Sequence, residues 1–281
     1  MIATRKSTIT KLSSSAPDFA AVLPAGATAL RPLLLLHNIY SPVGRRVMMN
    51  VGLRPGMKVA DFGCGFGAMT RMLAEIVGPS GSVTGIDEDQ AQLLRAGRLW
   101  EQSPLANVLF WKANACATCL PPDSFDFVYC RFLLSHVPDP EGCLREMLRV
   151  LKPGGIVVVE EGDFSESVPA TSPEAFSDLF TRLGPMRGSN NFLGRDLYHM
   201  VLRAGFAGVT IENHQPAFPR GKDGARLSGS IEQAGQGCVD AGLMTEEQFA
   251  LTLAEMQIAI DDPAIPVLMP RTSLVWARKP Q

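Results

Sequence analysis

The sequence predicts an α/β fold: a doubly wound, mostly parallel sheet with helices on both faces. Three observations predict it. The apolar pair Val59-Ala60 ends in Asp61 and turns through Gly63, Gly65 and Gly67 into a stretch of helical periodicity. A second short strand-like segment, Ser82 to Ile86, ends in another acid, Asp87. Ile156 to Glu160 is a β-branched run that suits a central strand covered on both faces. Strand, glycine turn, helix, strand and acid follow one another as in open sheets that hold an adenosine-bearing ligand at the strands' carboxyl ends.

The elements follow in order. Residues 1–27 read as irregular, a loose tail rich in Ser, Thr and Ala. Pro32 to Met49 reads as helical lead-in segments interrupted near Pro42, and Arg54-Pro55-Gly56 as a turn. Lys58–Asp61 is the first strand. Met69, Met72, Leu73, Ile76 and Val77 then recur at helical spacing, up to the stop at Gly78-Pro79-Ser80-Gly81. After the second strand, the pattern predicts a helix over 89–102 and strands at Val108–Lys112 and Phe125–Cys130. Leu144, Met147, Leu148 and Leu151 mark one more amphipathic helix, and Leu151-Lys152-Pro153-Gly154-Gly155 a turn before the fifth strand. Asn191–Gly205 reads as a helix with a glycine stop, Val209–Glu212 and Ser273–Ala277 as the last two strands.

Two ligands compete for the glycine turn. Gly63, Gly65 and Ala68 satisfy the G-x-G-x-x-G/A spacing of a dinucleotide site, with Asp87 near the ribose position. That fingerprint sets a pyrophosphate against a helix N-terminus. Asp61 would hold a carboxylate close to the diphosphate, and like charges in a partly desolvated turn repel. A ligand with a cationic amino-acid end suits the acid better. S-adenosyl-L-methionine is one: it carries an ammonium and a sulfonium and no phosphate.

Here the chain resembles the class I S-adenosylmethionine-dependent methyltransferases of small-molecule type. Asp61-Phe62-Gly63-Cys64-Gly65-Phe66-Gly67 matches the family's D/E-x-G-x-G-x-G motif, and Gly85-Ile86-Asp87 the acidic end of its second strand. Phe125 to Cys130 resembles its fourth strand and Leu151 to Gly155 the turn before its fifth. The four stand in family order over about residues 45–165. The resemblance implies a Rossmann-like sheet of seven strands with an antiparallel last strand, plus a helical cap. It also implies a cofactor site at Asp61, Gly63, Cys64, Gly65, Asp87 and Glu88. Where the family usually has an Asp for the adenine amino group, this chain has Ala113-Asn114-Ala115. Asn114 can accept there through its side-chain oxygen, with Ala115 beside it. Tyr40 either folds over the cofactor, as lead-in tyrosines do in similar enzymes, or packs in the core. Arg131 either contacts the cofactor or pairs with a nearby acid.

Composition bounds the rest. The 281 residues are 46% hydrophobic and 19% charged, enough for a buried parallel sheet and unlike a disordered chain. A formal net charge of −2 gives no electrostatic reason to expect a nucleic-acid substrate. The longest aliphatic run, Leu33 to Leu36, is far short of a membrane span. The six cysteines suggest no disulfide framework, so a reducing cytoplasm is the expected setting. Cys116 and Cys119 form a CxxC, but no second pair follows at zinc spacing and no metal is expected.

Methyl transfer is an in-line displacement at a carbon activated by the sulfonium, so a base is needed only when the nucleophile arrives protonated. His136, just past the fourth strand, is the candidate base, with a structural loop histidine as the alternative. Glu161 is the second catalytic candidate. It and Asp163, just past the fifth strand, either orient substrate and take a proton or are ordinary solvated loop acids. The chain divides into a tail and helical lead-in (1–50), a core (51–216), a helical insertion (217–270) with a helix from Thr245 to Ile260, and a last strand (271–281). The insertion leaves from the carboxyl edge of the sheet, so it and the lead-in are expected to cap a substrate, with a homodimer element as the alternative. The loop Cys130-Arg131-Phe132-Leu133 lacks the Asn/Asp-Pro-Pro-aromatic sequence of enzymes that methylate amino groups of bases. The expected substrate is therefore a small, fairly hydrophobic molecule methylated on O or C, quinone-like or lipid-like among the candidates. A cofactor-binding protein without methyl transfer, or an NAD-dependent oxidoreductase, are the rival functions.

Overall fold

The computed structural model describes residues 31–101, 106–163, 190–218, 236, 239, 240, 242, 244–261 and 267–281. Its centre is a seven-stranded sheet. In chain order the strands are β1 (Lys58–Phe62), β2 (Ser82–Asp87), β3 (Val108–Lys112), β4 (Phe125–Arg131), β5 (Leu151–Asp163), β6 (Ala207–His214) and β9 (Arg271–Arg278). They lie in the spatial order β3-β2-β1-β4-β5-β9-β6. All neighbours pair parallel except β9, which is antiparallel to both β5 and β6. The expected seven-stranded sheet with one antiparallel last strand is therefore the observed one. A separate two-residue pair, β7 (Ala217–Phe218) with β8 (Val267–Leu268), ties together the two ends of the insertion.

Helices cover both faces. On one, Val47 and Met48 of α1 (Arg31–Val51) join Met69, Met72, Leu73 and Val77 of α2 (Ala68–Val77) over Val59, Phe127 and Val158. On the other, Cys143, Leu144 and Met147 of α4 (Pro140–Val150) join Leu197, Met200 and Val201 of α5 (Leu197–Arg203) over Val128, Val157 and Val159. Helix α3 (Gln90–Trp100) packs on β2 and β3. Two aspartates start helices: Asp89 accepts the N–H of Ala91, and Asp139, ahead of Pro140, accepts that of Gly142. Helix α6 (Glu246–Asp261) falls where the insertion helix is expected.

Four expectations change. The lead-in is one uninterrupted helix with Pro42 inside it. Leu34, His37, Tyr40, Ser41, Gly44, Val47 and Met48 are buried at helical spacing while Pro42 is exposed. A proline inside a helix costs about 3 kcal/mol, and each fully buried large apolar side chain returns about 1.5–3 kcal/mol, so the packed face wins. Second, Leu151 opens β5 instead of ending α4, and the Lys-Pro-Gly-Gly stretch is an irregular start of that strand. Third, Glu161 and Asp163 are strand residues, not loop acids. Strand β9 extends β5 to its end by pairing Glu161 with Ser273 and Asp163 with Arg271. The Asp163 carboxylate is then neutralised by Arg271 at 2.6 Å and Arg195 at 3.4 Å. The helix expected at 191–205 is shorter, a single 3-10 turn at Leu193–Arg195 followed by α5. The tail, Gln102 at the end of the expected 89–102 helix, and most of the insertion outside α6 lie beyond the described residues.

Candidate functional site

The strand order reverses between β1 and β4, and a cleft of about 490 Å³ opens at their carboxyl ends. Asp61, Gly63, Cys64, Gly65, Asp87, Glu88, Asn114, Ala115, Arg131 and His136 all line it, residues expected of the site and drawn from five separate stretches of chain.

The glycine turn is held from beneath. The N–H groups of Gly63 and Cys64 both donate to the Ile86 carbonyl, at 2.8 and 2.9 Å. Gly63 and Gly65 have φ of 71° and 51°, the left-handed region that glycine enters without strain. At Gly63 an added Cβ would meet the Leu133 side chain at 2.9 Å, whereas at Gly65 it would meet nothing within 4 Å. Gly63 is thus pinned by packing. Gly65 faces open space, and its bare backbone is the part a ligand can approach.

Two carboxylates flank the turn. Asp61, at the end of β1, is almost fully buried and accepts the Thr70 hydroxyl at 2.6 Å. Burial pushes its carboxyl up to about 7, although the Thr70 bond and the Arg131 charge pull the other way. Asp87 is half-buried, and its two oxygens accept the N–H groups of Gly65 at 2.8 Å and Asp89 at 2.9 Å. Each oxygen keeps a lone pair for a further donor. Asn114 turns its oxygen to the Cys116 N–H at 2.8 Å and its amide to Glu88 at 3.4 Å.

Arg131 ends β4 at the back of the cleft. Its Nη2 lies 3.3 Å from His37 Nδ1, and its guanidinium lies over the Phe132 ring. Burial and the Arg131 charge push His37 down to about 3, so its imidazole is neutral and Nδ1 accepts. Nη1 of Arg131 is buried without a hydrogen-bond partner among the described residues. Next to it, Glu160 is fully buried and accepts the Tyr129 hydroxyl at 2.9 Å. Burial raises both groups, while the Arg131 charge beside them pulls the other way.

Two candidates do not reach the cleft. Tyr40 is buried, donates to the Pro270 carbonyl at 2.8 Å and meets Phe132 edge-on. It fastens α1 to the chain entering β9. Glu161 is fully buried on the opposite face of β5 from Glu160. It accepts the Leu134 N–H at 2.6 Å beneath the turn that carries His136. Burial pushes its carboxyl up to about 7. His136, by contrast, is exposed at the cleft edge, at the end of the 3-10 turn Leu134–His136.

Thr70, His37, Leu36 and Gln92 join the site only through the fold. Thr70 binds Asp61 only because the first turn of α2 stacks over the end of β1. Leu36 and Gln92 enter the lining from α1 and α3. No motif announces such residues. Among the described residues no group of three His, Cys, Asp or Glu could hold a metal ion, and no helix is long and apolar enough to cross a membrane.

The arrangement fits an adenosine ligand with a cationic tail: a buried acid for an ammonium, an open glycine backbone, and a carboxylate placed for a diol. Residues 60–159 match the family described as "Methyltransferase domain". The chain is similar to demethylmenaquinone methyltransferase of Staphylococcus aureus, 42% identical over 117 residues, which are 42% of this chain and 48% of that protein. The chain thus spans about half the length of the curated relatives it matches. In fold it is similar to the YcgJ protein of Bacillus subtilis, with a TM-score of 0.56 and 19% identity over 84% of this chain and 97% of that one. It is also similar to phosphoethanolamine N-methyltransferase 2 of Haemonchus contortus, solved with phosphomonomethylethanolamine and S-adenosylhomocysteine. That TM-score is 0.53, at 18% identity over 89% of this chain and 52% of the other. At these identities the two structures speak for the fold. With the glycine turn, its two acids and the strand order in place, residues 60–159 are similar to a methyltransferase domain, set in the Rossmann-like sheet that the solved neighbours share.

Proposed function

We propose that this chain transfers a methyl group from S-adenosylmethionine to an oxygen or carbon atom of a small, fairly hydrophobic acceptor. The observation that carries the reading is Asp61, a buried carboxylate on the wall of the cleft. It repels a diphosphate and receives an ammonium.

When bound, the donor supplies a methyl carbon already activated by its sulfonium. Asp61 takes the ammonium of the methionine end, and the unpartnered Nη1 of Arg131 takes the carboxylate. Gly63, Cys64 and Gly65 let the backbone lie against that end, and Asp87 accepts both ribose hydroxyls. Glu88, Asn114 and Ala115 border the adenine. The protein must then set the acceptor atom about 3 Å from the methyl carbon, opposite the sulfur, and exclude water. His136 at the rim takes the proton of an acceptor that arrives protonated. Glu161 supports it from below by holding the N–H of Leu134, which makes it a positioning residue. Tyr40 acts in the same indirect way.

An apolar acceptor suits Leu36, Phe132, Leu133 and Val137 on the cleft wall. The S. aureus relative is named for demethylmenaquinone, an acceptor of that chemistry. The lead-in helix already contributes Leu36, which supports its part in a cap; the insertion, rooted by β7 and β8, supplies the remainder or a dimer contact. The acceptor is not a nucleic acid, and the reaction takes place in the cytoplasm. Calorimetry tests the cofactor: S-adenosylhomocysteine binds and NADH does not. A screen of phenols, enols and quinols for the mass of one added methyl group tests turnover. Donor binding with no transfer to any acceptor class would leave a binding protein in its place.

A further inference from the structure

Where the Asn114 turn meets α4, beside the cleft, lies a pair of thiols that the methyl-transfer chemistry does not use. Cys116 lines the cleft and is half-exposed. Cys143, in the first turn of α4, is fully buried. Their sulfurs lie 2.9 Å apart. Both residues also converge on one carbonyl, that of Asp139: the Cys116 thiol reaches it at 3.3 Å and the Cys143 N–H at 3.1 Å. The sulfurs need to approach by only about 0.9 Å to reach the about 2.0 Å of a covalent bond. Cys119, the other member of the CxxC, is exposed, and its sulfur lies against the Ala117 carbonyl at 3.9 Å.

We propose that Cys116 and Cys143 form a reversible disulfide, closed by hydrogen peroxide, that weakens donor binding in the adjoining cleft. Cys116 is the sulfur an oxidant can reach. Its thiolate attacks one peroxide oxygen, the O–O bond breaks, and hydroxide leaves to be protonated to water, giving the sulfenic acid. The Cys143 sulfur then attacks Cys116 Sγ and the S–O bond breaks. The Cys143 proton leaves with the hydroxyl as a second water. Two thiols lose two electrons in all, and the peroxide gains them. Burial raises the Cys143 thiol, so that sulfur attacks only a partner already beside it, which this geometry supplies. A dithiol reverses the bond by exchange.

The coupling runs through the Asn114 turn. The Cys116 N–H is bound by Asn114, whose amide reaches Glu88, and Ala113 through Cys116 all line the cleft. Drawing the Cys116 sulfur toward α4 moves that wall. This coupling rests on the reading of the cleft as the donor site; the disulfide itself does not.

The test uses the full chain, oxidised with hydrogen peroxide or reduced with dithiothreitol. Non-reducing peptide mapping is expected to find Cys116 joined to Cys143 with the loss of two hydrogen masses. Affinity for S-adenosylhomocysteine is expected to fall by about fivefold or more on oxidation and to return on reduction. Cys143→Ala should bind as the reduced chain does and lose the response to peroxide. If that variant fails to fold, Cys116→Ser must show the same loss of response. No disulfide, or one joining Cys116 to Cys119, overturns the pair. A Cys116–Cys143 bond with unchanged affinity overturns the coupling. A reduced chain that does not bind S-adenosylhomocysteine overturns the donor reading and the coupling with it, while the peptide map still decides the disulfide.

Discussion

The Asp87 carboxylate accepts the backbone N–H of Gly65 at 2.8 Å, fastening the end of β2 to the middle of the glycine turn. The acid thereby shapes the turn, and in the proposed function it also faces the ribose. Asp87→Ala should weaken S-adenosylhomocysteine binding by about 1.5–3 kcal/mol, the loss of charge-assisted hydrogen bonds. Asp87→Asn, which keeps one acceptor oxygen, should fall between. Calorimetry reads both, and unchanged affinity in the alanine variant removes Asp87 from the site.

The two glycines of the turn should respond differently to alanine. Both lose the freedom of a positive φ, which costs about 1–2 kcal/mol. Gly63→Ala also drives a methyl into Leu133 at 2.9 Å, adding about 1–3 kcal/mol of overpacking. Gly65→Ala meets open space, so its stability loss stays at the lower figure while its methyl occupies the donor's place. Denaturant unfolding should therefore rank Gly63→Ala as the less stable, and Gly65→Ala should lose donor affinity out of proportion to its stability.

Donor binding should depend on pH through Asp61. Its carboxyl, raised to about 7 by burial, is part-protonated at neutral pH, and an ammonium ligand requires the ionised form. Affinity should rise as pH rises through about 7 and then level off, by up to tenfold per pH unit below that point. Binding at neutral pH should release protons, seen as a dependence of the calorimetric heat on the buffer's ionisation enthalpy. Asp61→Asn should bind weakly and without that pH slope.

Glu161 should show itself in stability. Its carboxyl is raised to about 7 in the folded chain from 4.5. The folded state therefore holds a proton that the unfolded state has lost. That contribution is complete below about 4.5 and lost as pH rises through about 7. Glu161→Gln still accepts the Leu134 N–H and has no proton to lose. Relative to the parent chain, it should be more stable at pH of about 8 than at about 5, as urea unfolding at the two values would reveal. Equal differences at both would place the carboxyl in a different environment.

His136→Asn should lower turnover by about 10²–10⁴-fold if the acceptor arrives protonated, with donor affinity nearly intact. Retained activity across the pH range would reject His136 as the base.

The residues around the glycine turn are legible in the sequence because they are local. Asp61, Gly63 and Gly65 sit within one turn, and Asp87 ends the next strand, so spacing alone brings them near one another. The same locality made β3 readable to the residue. Residues whose role depends on a distant partner were not legible. The chain gives Asn114 as an acceptor at the cleft, and only the fold shows that its oxygen also takes the Cys116 N–H and its amide reaches Glu88. Pro42 looks like a break in the sequence because the chain gives no measure of how much surface the surrounding helix buries.

What the residue order settles here is which segments become strands, where the turn must be glycine, and which acids flank that turn. All follow from backbone sterics and local periodicity. Three-dimensional packing settles which side of β5 each acid faces. Alternation along that strand sends Glu160 toward Tyr129 and Arg131, and Glu161 beneath the His136 turn. Burial, a property of the assembled sheet and not of any segment, then sets the protonation of Asp61, His37 and Glu161.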